Sequence, residues 1–108
     1  MASGSSSGPL AARTVGAINL DLAFLSAGSW DLSHGVTSFS TDKVLLKQAV
    51  MAAAGSVALL ADSTKWGTVE RFNVTTLDRL DTVVTDAGLP EAVVDRISEE
   101  GPTVLRTA

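Results

Sequence analysis

A cluster of chemically active side chains follows a short apolar run near the middle of the chain. Residues 57–61 are entirely apolar, and Asp62, Ser63, Thr64 and Lys65 come directly after them. A carboxylate accepts hydrogen bonds from hydroxyl groups, and an ammonium group binds anions such as phosphate. An apolar run this short is typical of a strand buried in a parallel sheet, and open α/β sheets bind ligands at the carboxyl ends of such strands. The cluster therefore predicts a ligand site in the loop after this strand.

Two interpretations of the spacing between Asp62 and Lys65 are open. In the functional one, Lys65 supplies positive charge to a phosphate or sugar oxygen, while Asp62 accepts hydrogen bonds from hydroxyl groups. In the structural one, the two side chains form an ion pair in a loop, and Asp62 caps a short helix. Ser63 is a further candidate for ligand contact, although hydroxyl groups in loops more often bond the local backbone.

A second candidate loop follows the strand predicted over residues 22–27. Gly28 would let a ligand approach the backbone closely, or it is a simple turn glycine. Asp31 supplies another carboxylate to this loop. Trp30 here and Trp66 in the first loop would wall a pocket or stack on a sugar ring; packing in the core or in a subunit interface is the alternative role for at least one of them.

The composition limits what this chain can bind by itself. It has 108 residues, a formal net charge of −4, no cysteine and eight scattered Lys and Arg residues. Nucleic-acid binding needs clustered basic residues, and disulfides and thiolate zinc sites need cysteine. No apolar run reaches the roughly 18 residues of a membrane helix, and the N-terminus lacks a secretory pattern. We therefore expect a cytoplasmic domain without metal or cofactor, since the single histidine, His34, has no partner cluster.

Apolar spacing and capping residues predict alternating helices and strands in one domain, after a flexible linker or tag at residues 1–8. Helices are predicted over residues 9–18, 43–54 and 90–100. Strands are predicted over residues 22–27, 57–61, 72–75, 81–86 and 103–106. Thr41 or Asp42 should cap the second helix and Gly55 should end it, with residues 29–40 as loop and a helical turn at residues 77–80. This alternation predicts an α/β fold with a parallel sheet built on residues 22–27, 57–61 and 81–85.

Several stretches match one family pattern in order and in spacing. They read LDLAFLSAGSWD at residues 20–31, GVT at 35–37, KQAVM at 47–51, ADSTKWG at 61–67 and TVVTDAGLP at 82–90. With these motifs the chain resembles the C-terminal effector domain of DeoR-type bacterial transcription repressors, whose segments are of the types FDKAFIGADGID, KRAM, ADSSKFG and TLITDDGLP. The chain departs from that pattern in the turn at residues 26–29, where an expected Asp is missing or displaced to Asp31. It departs again at Lys43, which replaces a usual Glu.

The resemblance implies a Rossmann-like parallel sheet flanked by helices, related to the ribose-5-phosphate isomerase and CoA transferase folds and here truncated. It implies that residues 9–108 are the C-terminal part of an effector-binding domain that is not an enzyme and that binds a phosphorylated sugar or polyol. It further implies a homo-oligomer that reaches DNA only through a winged helix-turn-helix absent from this chain. The candidate ligand-binding residues are Gly28, Asp31, Asp62, Ser63 and Lys65.

Two other functions stay open. The first is a sugar-phosphate isomerase-like enzyme, with Asp62 or Asp31 as the base and Lys65 as the electrophile. The absence of a clustered acid pair weighs against this function. The second is an oligomerisation domain that binds no effector.

Overall fold

The computed structural model describes residues 20–107, so the helix predicted at residues 9–18 and the linker predicted at residues 1–8 lie outside the described residues. Two helices occur in this part, α1 (Thr41–Ala53) and α2 (Glu91–Glu99). The strands are β1 (Leu20–Ala27), β2 (Ser29–Asp31), β3 (Gly35–Ser38), β4 (Ala54–Ala61), β5 (Phe72–Thr75), β6 (Thr82–Asp86) and β7 (Thr103–Thr107). Neither helix is long and apolar enough to cross a membrane.

The main sheet has four parallel strands in the order β1-β4-β6-β7. The three short apolar runs that the sequence singles out form β1, β4 and β6, so the predicted parallel sheet is confirmed. In β1 and β4 the register places Ala27 beside Ala61. The loops that leave these two strands therefore start next to each other, at the same edge of the sheet.

The segment at residues 29–40, predicted as loop, instead forms most of a second sheet. Here β2, β3 and β5 pair antiparallel in the order β2-β3-β5. Gly35 opens β3 with a φ of +70°, and an added Cβ would lie 2.2 Å from the carbonyl oxygen of Thr75. The prediction was wrong because the strands are short, the segment is rich in Ser, and it is buried by tertiary contacts that its own polarity does not indicate.

Helix α1 begins two residues earlier than predicted, and neither Thr41 nor Asp42 caps it. Ser40 is the N-cap, and its hydroxyl oxygen accepts a hydrogen bond from the Lys43 amide (3.4 Å). The helix ends at Ala53, where the chain turns directly into the extended backbone of β4, so the prediction that Gly55 ends it was also wrong. A helix needs a left-handed residue at its end only when the chain reverses there, and this one continues in extended geometry.

Both helices contribute to one buried core on one face of the main sheet. Val44 of α1 and Ile97 of α2 belong to the same cluster as Leu25, Leu59 and Val83. Strand side chains alternate between the two faces, and on the opposite face several large apolar side chains are exposed. These are Leu22, Phe24, Leu60 and Leu105.

Candidate functional site

The structure brings the two predicted loops together at the carboxyl ends of β1 and β4. Gly28 follows the last residue of β1, and Asp62 follows the last residue of β4. Because Ala27 and Ala61 are partners in the sheet, these two residues leave neighbouring strands at the same level. This edge is where ligands bind in open α/β sheets.

Trp30 fixes the two loops to each other. Its side chain is fully buried, and its indole Nε1 donates a hydrogen bond to the backbone carbonyl of Asp62 (3.0 Å). The Gly67 amide donates to the carbonyl of Trp30 (2.8 Å), and the rings of Trp30 and Trp66 meet edge to face with centroids 4.8 Å apart. Trp30 is thus a core residue that positions the Asp62 loop, and Trp66, partly buried, packs against it.

The Asp62 carboxylate caps a short 3-10 turn, Ser63–Lys65. Its Oδ1 accepts hydrogen bonds from the amide and the hydroxyl of Thr64, both at 2.9 Å. Asp62 and Lys65 form no ion pair, and the exposed Lys65 forms none with any residue of the described part. The capping half of the structural interpretation is therefore present, and the ion pair is not.

Ser63 ties the loop after β4 to the loop after β6. Its amide donates to Asp86 Oδ2 (3.0 Å), and its hydroxyl donates to Asp86 Oδ1 (2.5 Å). The Gly88 amide also donates to Asp86 Oδ1 (2.8 Å). The Ser63 hydroxyl, followed by the Ser63 and Gly88 amides, lowers the pKa of Asp86 from 3.8 to about 2. The Ser63 hydroxyl is thus bonded within the protein, to the Asp86 carboxylate.

Asp31 lies at the hairpin between β2 and β3. Its carboxylate accepts a hydrogen bond from the His34 amide (2.6 Å), and its other oxygen lies 3.0 Å from His34 Nδ1. Within residues 20–107, no group of three His, Cys, Asp or Glu side chains is placed to hold a metal ion.

A cleft of about 380 Å³ opens beside the carboxyl end of β1, between the second sheet and the first turns of α1. Of the five residues predicted to bind a ligand, Gly28 lines it; Asp31, Asp62, Ser63 and Lys65 do not. The space over Gly28 is open, because an added Cβ would meet no atom within 4 Å. The cleft is lined by Ser26, Ala27, Gly28, Ser29, Thr37, Ser38, Phe39, Lys43, Lys47 and Glu70.

Two lysines on α1 supply the positive charge of this cleft. Lys47 is half-buried, and its Nζ donates to the backbone carbonyl of Ser26 at the end of β1 (2.6 Å). Burial, and then the charge of Lys43, lowers the pKa of Lys47 below its ordinary 10.5. The Lys43 ammonium lies 5.3 Å from the centre of the exposed Phe39 ring. The sequence interpretation missed both lysines as site residues, although their i, i+4 spacing places them on one face of a helix that follows the first candidate strand.

A larger groove of about 670 Å³ lies at the other end of the main sheet, between the end of α1 and the 3-10 turn Leu77–Arg79. It borders the amino ends of the parallel strands, where α/β folds do not usually bind ligands. The carboxylate on its wall, Asp81, accepts a hydrogen bond from the Val57 amide (2.7 Å). The smaller cleft is therefore the better candidate site, because it lies at the carboxyl end of β1.

Comparison with known proteins assigns the chain to a family. The family model described as the DeoR C terminal sensor domain matches residues 1–87. An uncharacterized HTH-type transcriptional regulator of Haemophilus influenzae is 39% identical over 95 residues, which are 88% of this chain and 37% of that protein. The regulator YgbI of Escherichia coli is 36% identical over 91% of this chain and 38% of its own length, and the regulator GlpR of Haloferax volcanii is 30% identical over the same two shares.

The matched stretch thus spans somewhat over a third of the length of these curated relatives. The family match covers most of the chain, and the parallel sheet agrees with the fold that the motifs imply. The chain belongs to the DeoR family of transcriptional regulators, as part of its C-terminal sensor domain.

Proposed function

We propose that this chain is the ligand-sensing part of a cytoplasmic transcriptional regulator and that it binds a phosphorylated sugar or polyol in the cleft beside β1. The observation that carries the proposal is the lining of the cleft, which combines the ammonium groups of Lys43 and Lys47 with open backbone at Gly28. An anionic ester with hydroxyl groups matches such a lining, because ammonium groups bind phosphate oxygens and serine and threonine hydroxyls bond sugar hydroxyls.

The loop after β4 extends this site at its rim. Gly28 and Asp62 leave neighbouring strands, so a ligand over Gly28 would pass close to the Asp62–Lys65 turn. In this proposal Asp62 and Lys65 contact the part of the ligand that protrudes from the cleft. Ser63 holds the turn to Asp86, and Asp31 shapes the hairpin next to the site.

The signal would pass to DNA by linkage. A ligand that binds one arrangement of the protein more tightly shifts the population toward it and so changes the affinity for an operator. DNA contact would come from a helix-turn-helix in the whole protein, since the relatives are named as HTH-type regulators. We also propose a homo-oligomer, supported by the exposed Leu22 and Phe24 on the face of the main sheet that neither described helix covers.

An isomerase-like activity is less well supported by the site. The Asp62 carboxylate caps a turn, and the Asp31 carboxylate is bonded to His34. Glu70 is the one acid that lines the cleft. Acid–base chemistry on a sugar usually needs two groups placed on the reacting atoms, and this lining offers one carboxylate.

A thermal-shift screen tests the proposal. The protein is melted alone, with each of a set of sugar and polyol phosphates, and with the same compounds without phosphate. A ligand that binds only the folded state raises the melting temperature. At a ligand concentration of 100 times its Kd, the free energy of unfolding increases by about 2.7 kcal/mol. We expect at least one phosphorylated compound to raise it and its unphosphorylated counterpart to have a much smaller effect. A shift that is equal for both members of every pair, or no shift with any compound, would contradict the proposal.

A further inference from the structure

We propose that Lys43 and Lys47 together form the seat for the phosphate group of the ligand, and that Glu70 on the facing wall accepts hydrogen bonds from its hydroxyl groups. This assignment rests on the proposed function and names the residues that would bind each part of the ligand. It selects a monophosphate ester that carries free hydroxyls.

The two lysines are placed to bind one anion together. They lie one turn apart on the same face of α1, within the first two turns of that helix. Both line the cleft, and neither forms an ion pair within residues 20–107. Positive side chains near the start of a helix do not stabilise it, because the helix dipole favours negative charge there. An anion between these ammonium groups would be favoured by both lysines and by the dipole.

Lys47 is held in position while keeping donors for a ligand. Its ammonium has three N–H donors, and the Ser26 carbonyl takes one of them. The side chain is half-buried, and its pKa is lowered by burial and then by the charge of Lys43. An anion in contact with both ammonium groups would offset the repulsion between the two lysines and favour the charged form of Lys47.

The wall of the cleft formed by the second sheet carries Glu70, whose backbone is hydrogen-bonded to that sheet. The Glu70 amide donates to Thr37 Oγ1 (2.9 Å), and that hydroxyl lies 2.6 Å from Ser29 Oγ. Ser29 and Thr37 are themselves buried partners in the β2–β3 ladder. This chain of hydrogen bonds ties the backbone at Glu70 to the sheet. A carboxylate carried by this backbone would accept hydrogen bonds from hydroxyl groups and repel a second phosphate, so it would favour monophosphates over bisphosphates.

The test uses inorganic phosphate as the probe, which separates the phosphate seat from the rest of the ligand. Phosphate is titrated at constant ionic strength, and binding is followed by the NMR signals of the lysine ε-methylene groups. We expect saturable shifts at Lys43 and Lys47. We expect Lys47→Met and Lys43→Met each to weaken phosphate binding by roughly 10-fold or more, the fold-change for a lost charge-assisted hydrogen bond of about 1.5 kcal/mol.

Arg96→Met is the matched control, because it removes one exposed positive charge from α2, away from the cleft. It should leave phosphate binding within about twofold of wild type, since an exposed charge far from the ligand is largely screened. Lys47→Arg keeps the charge and provides a second variant if Lys47→Met fails to fold. The seat is overturned if Lys43 and Lys47 show no saturable shift, or if Lys65→Met abolishes binding while Lys47→Met retains it.

Glu70→Gln tests the other half of the assignment. It should leave inorganic phosphate binding unchanged or tighter, because it removes a negative charge from the cleft. It should reduce the preference for fructose 6-phosphate over fructose 1,6-bisphosphate, two probes that differ only in the second phosphate. An unaltered preference would remove Glu70 from the assignment.

The two proposals fail in different ways. If no sugar phosphate raises the melting temperature but inorganic phosphate shifts Lys43 and Lys47, the seat stands and the proposed effector class is wrong. If a sugar phosphate stabilises wild type and the Lys43→Met and Lys47→Met variants equally, the proposed function stands and the seat is wrong.

Discussion

The indole nitrogen of Trp30 donates a hydrogen bond to the backbone carbonyl of Asp62, 3.0 Å away, across 32 positions of sequence. This bond joins the strand that follows β1 to the loop that follows β4. It fixes the position of the Asp62 turn relative to the end of β1, and Trp30 itself is buried and does not line the cleft.

Trp30→Phe should therefore destabilise the protein and loosen the Asp62 turn. The substitution keeps an aromatic ring but leaves the Asp62 carbonyl without its donor, which costs about 1–3 kcal/mol if that carbonyl is shielded from water. The free energy of unfolding, measured with urea, checks this. Trp66→Phe is the matched control, because within residues 20–107 the Trp66 indole nitrogen makes no hydrogen bond. Equal losses for the two variants would show that packing, not the hydrogen bond, is the contribution of Trp30.

Gly88→Ala should disrupt the connection between the loops after β4 and β6. An added Cβ would lie 2.5 Å from Ser63 Oγ and 2.9 Å from Asp86 Oδ1, closer than carbon and oxygen atoms approach. We expect a loss of about 1–3 kcal/mol in unfolding free energy, as is usual for overpacking. Amide exchange at Ser63 should also become faster. A variant as stable as wild type, with unaltered exchange at Ser63, would mean that the Ser63–Asp86 pair adapts without cost.

Gly28→Ala should leave stability unchanged and weaken ligand binding. The new methyl group meets no atom within 4 Å, so the melting temperature of the free protein should stay within about 3 °C of wild type. The methyl group would project into the space that the ligand needs, and affinity for the sugar phosphate selected by thermal shift should fall at least about 10-fold. Calorimetric titration measures that affinity. Unaltered affinity would place the ligand away from Gly28.

Asp86→Asn should lower stability at neutral pH, and the loss should fade in acid. The folded pKa, about 2, lies below the ordinary 3.8, so the carboxylate binds its proton less readily in the folded protein. Its stabilising contribution is therefore complete above pH 3.8 and is lost as the pH falls toward 2. Urea unfolding of wild type and variant between pH 2 and pH 7 should show two curves that converge below pH 3.8.

Asp95→Asn serves as the control for Asp86→Asn, since within residues 20–107 the exposed Asp95 carboxylate has no hydrogen-bond partner. Its effect at pH 7 should be within about 0.5 kcal/mol, as is usual for surface substitutions. A gap between wild type and Asp86→Asn that stays constant down to pH 2 would contradict the role assigned to the Ser63 and Gly88 hydrogen bonds.

The main sheet could be predicted because its strands carry their own signal. Residues 57–61 are apolar on both faces, which is a pattern that few other elements share. The second sheet could not be predicted in the same way. Its β2–β3 ladder buries Ser29 and Thr37, whose hydroxyls bond each other, and such burial is set by the surrounding fold rather than by local polarity.

The candidate site was likewise predicted only in part. Motif and strand-end reasoning placed Gly28 and Asp62 on neighbouring loops, as the structure does. Lys43 and Lys47 carry no such signal, because two lysines at i, i+4 usually indicate only a solvated helix face. They line the cleft because α1 packs against the end of β1. The hydrogen bond from Lys47 to the Ser26 carbonyl is part of this tertiary packing, which the local sequence does not indicate.

The most direct test of ligand binding in this cleft is a map of amide chemical-shift changes on addition of the sugar phosphate that gives the largest thermal shift. We expect the largest changes at residues 26–29 and 43–47, around the cleft beside β1. Changes concentrated instead in the groove lined by Met51, Val74 and Arg79, at the opposite end of the sheet, would contradict the account.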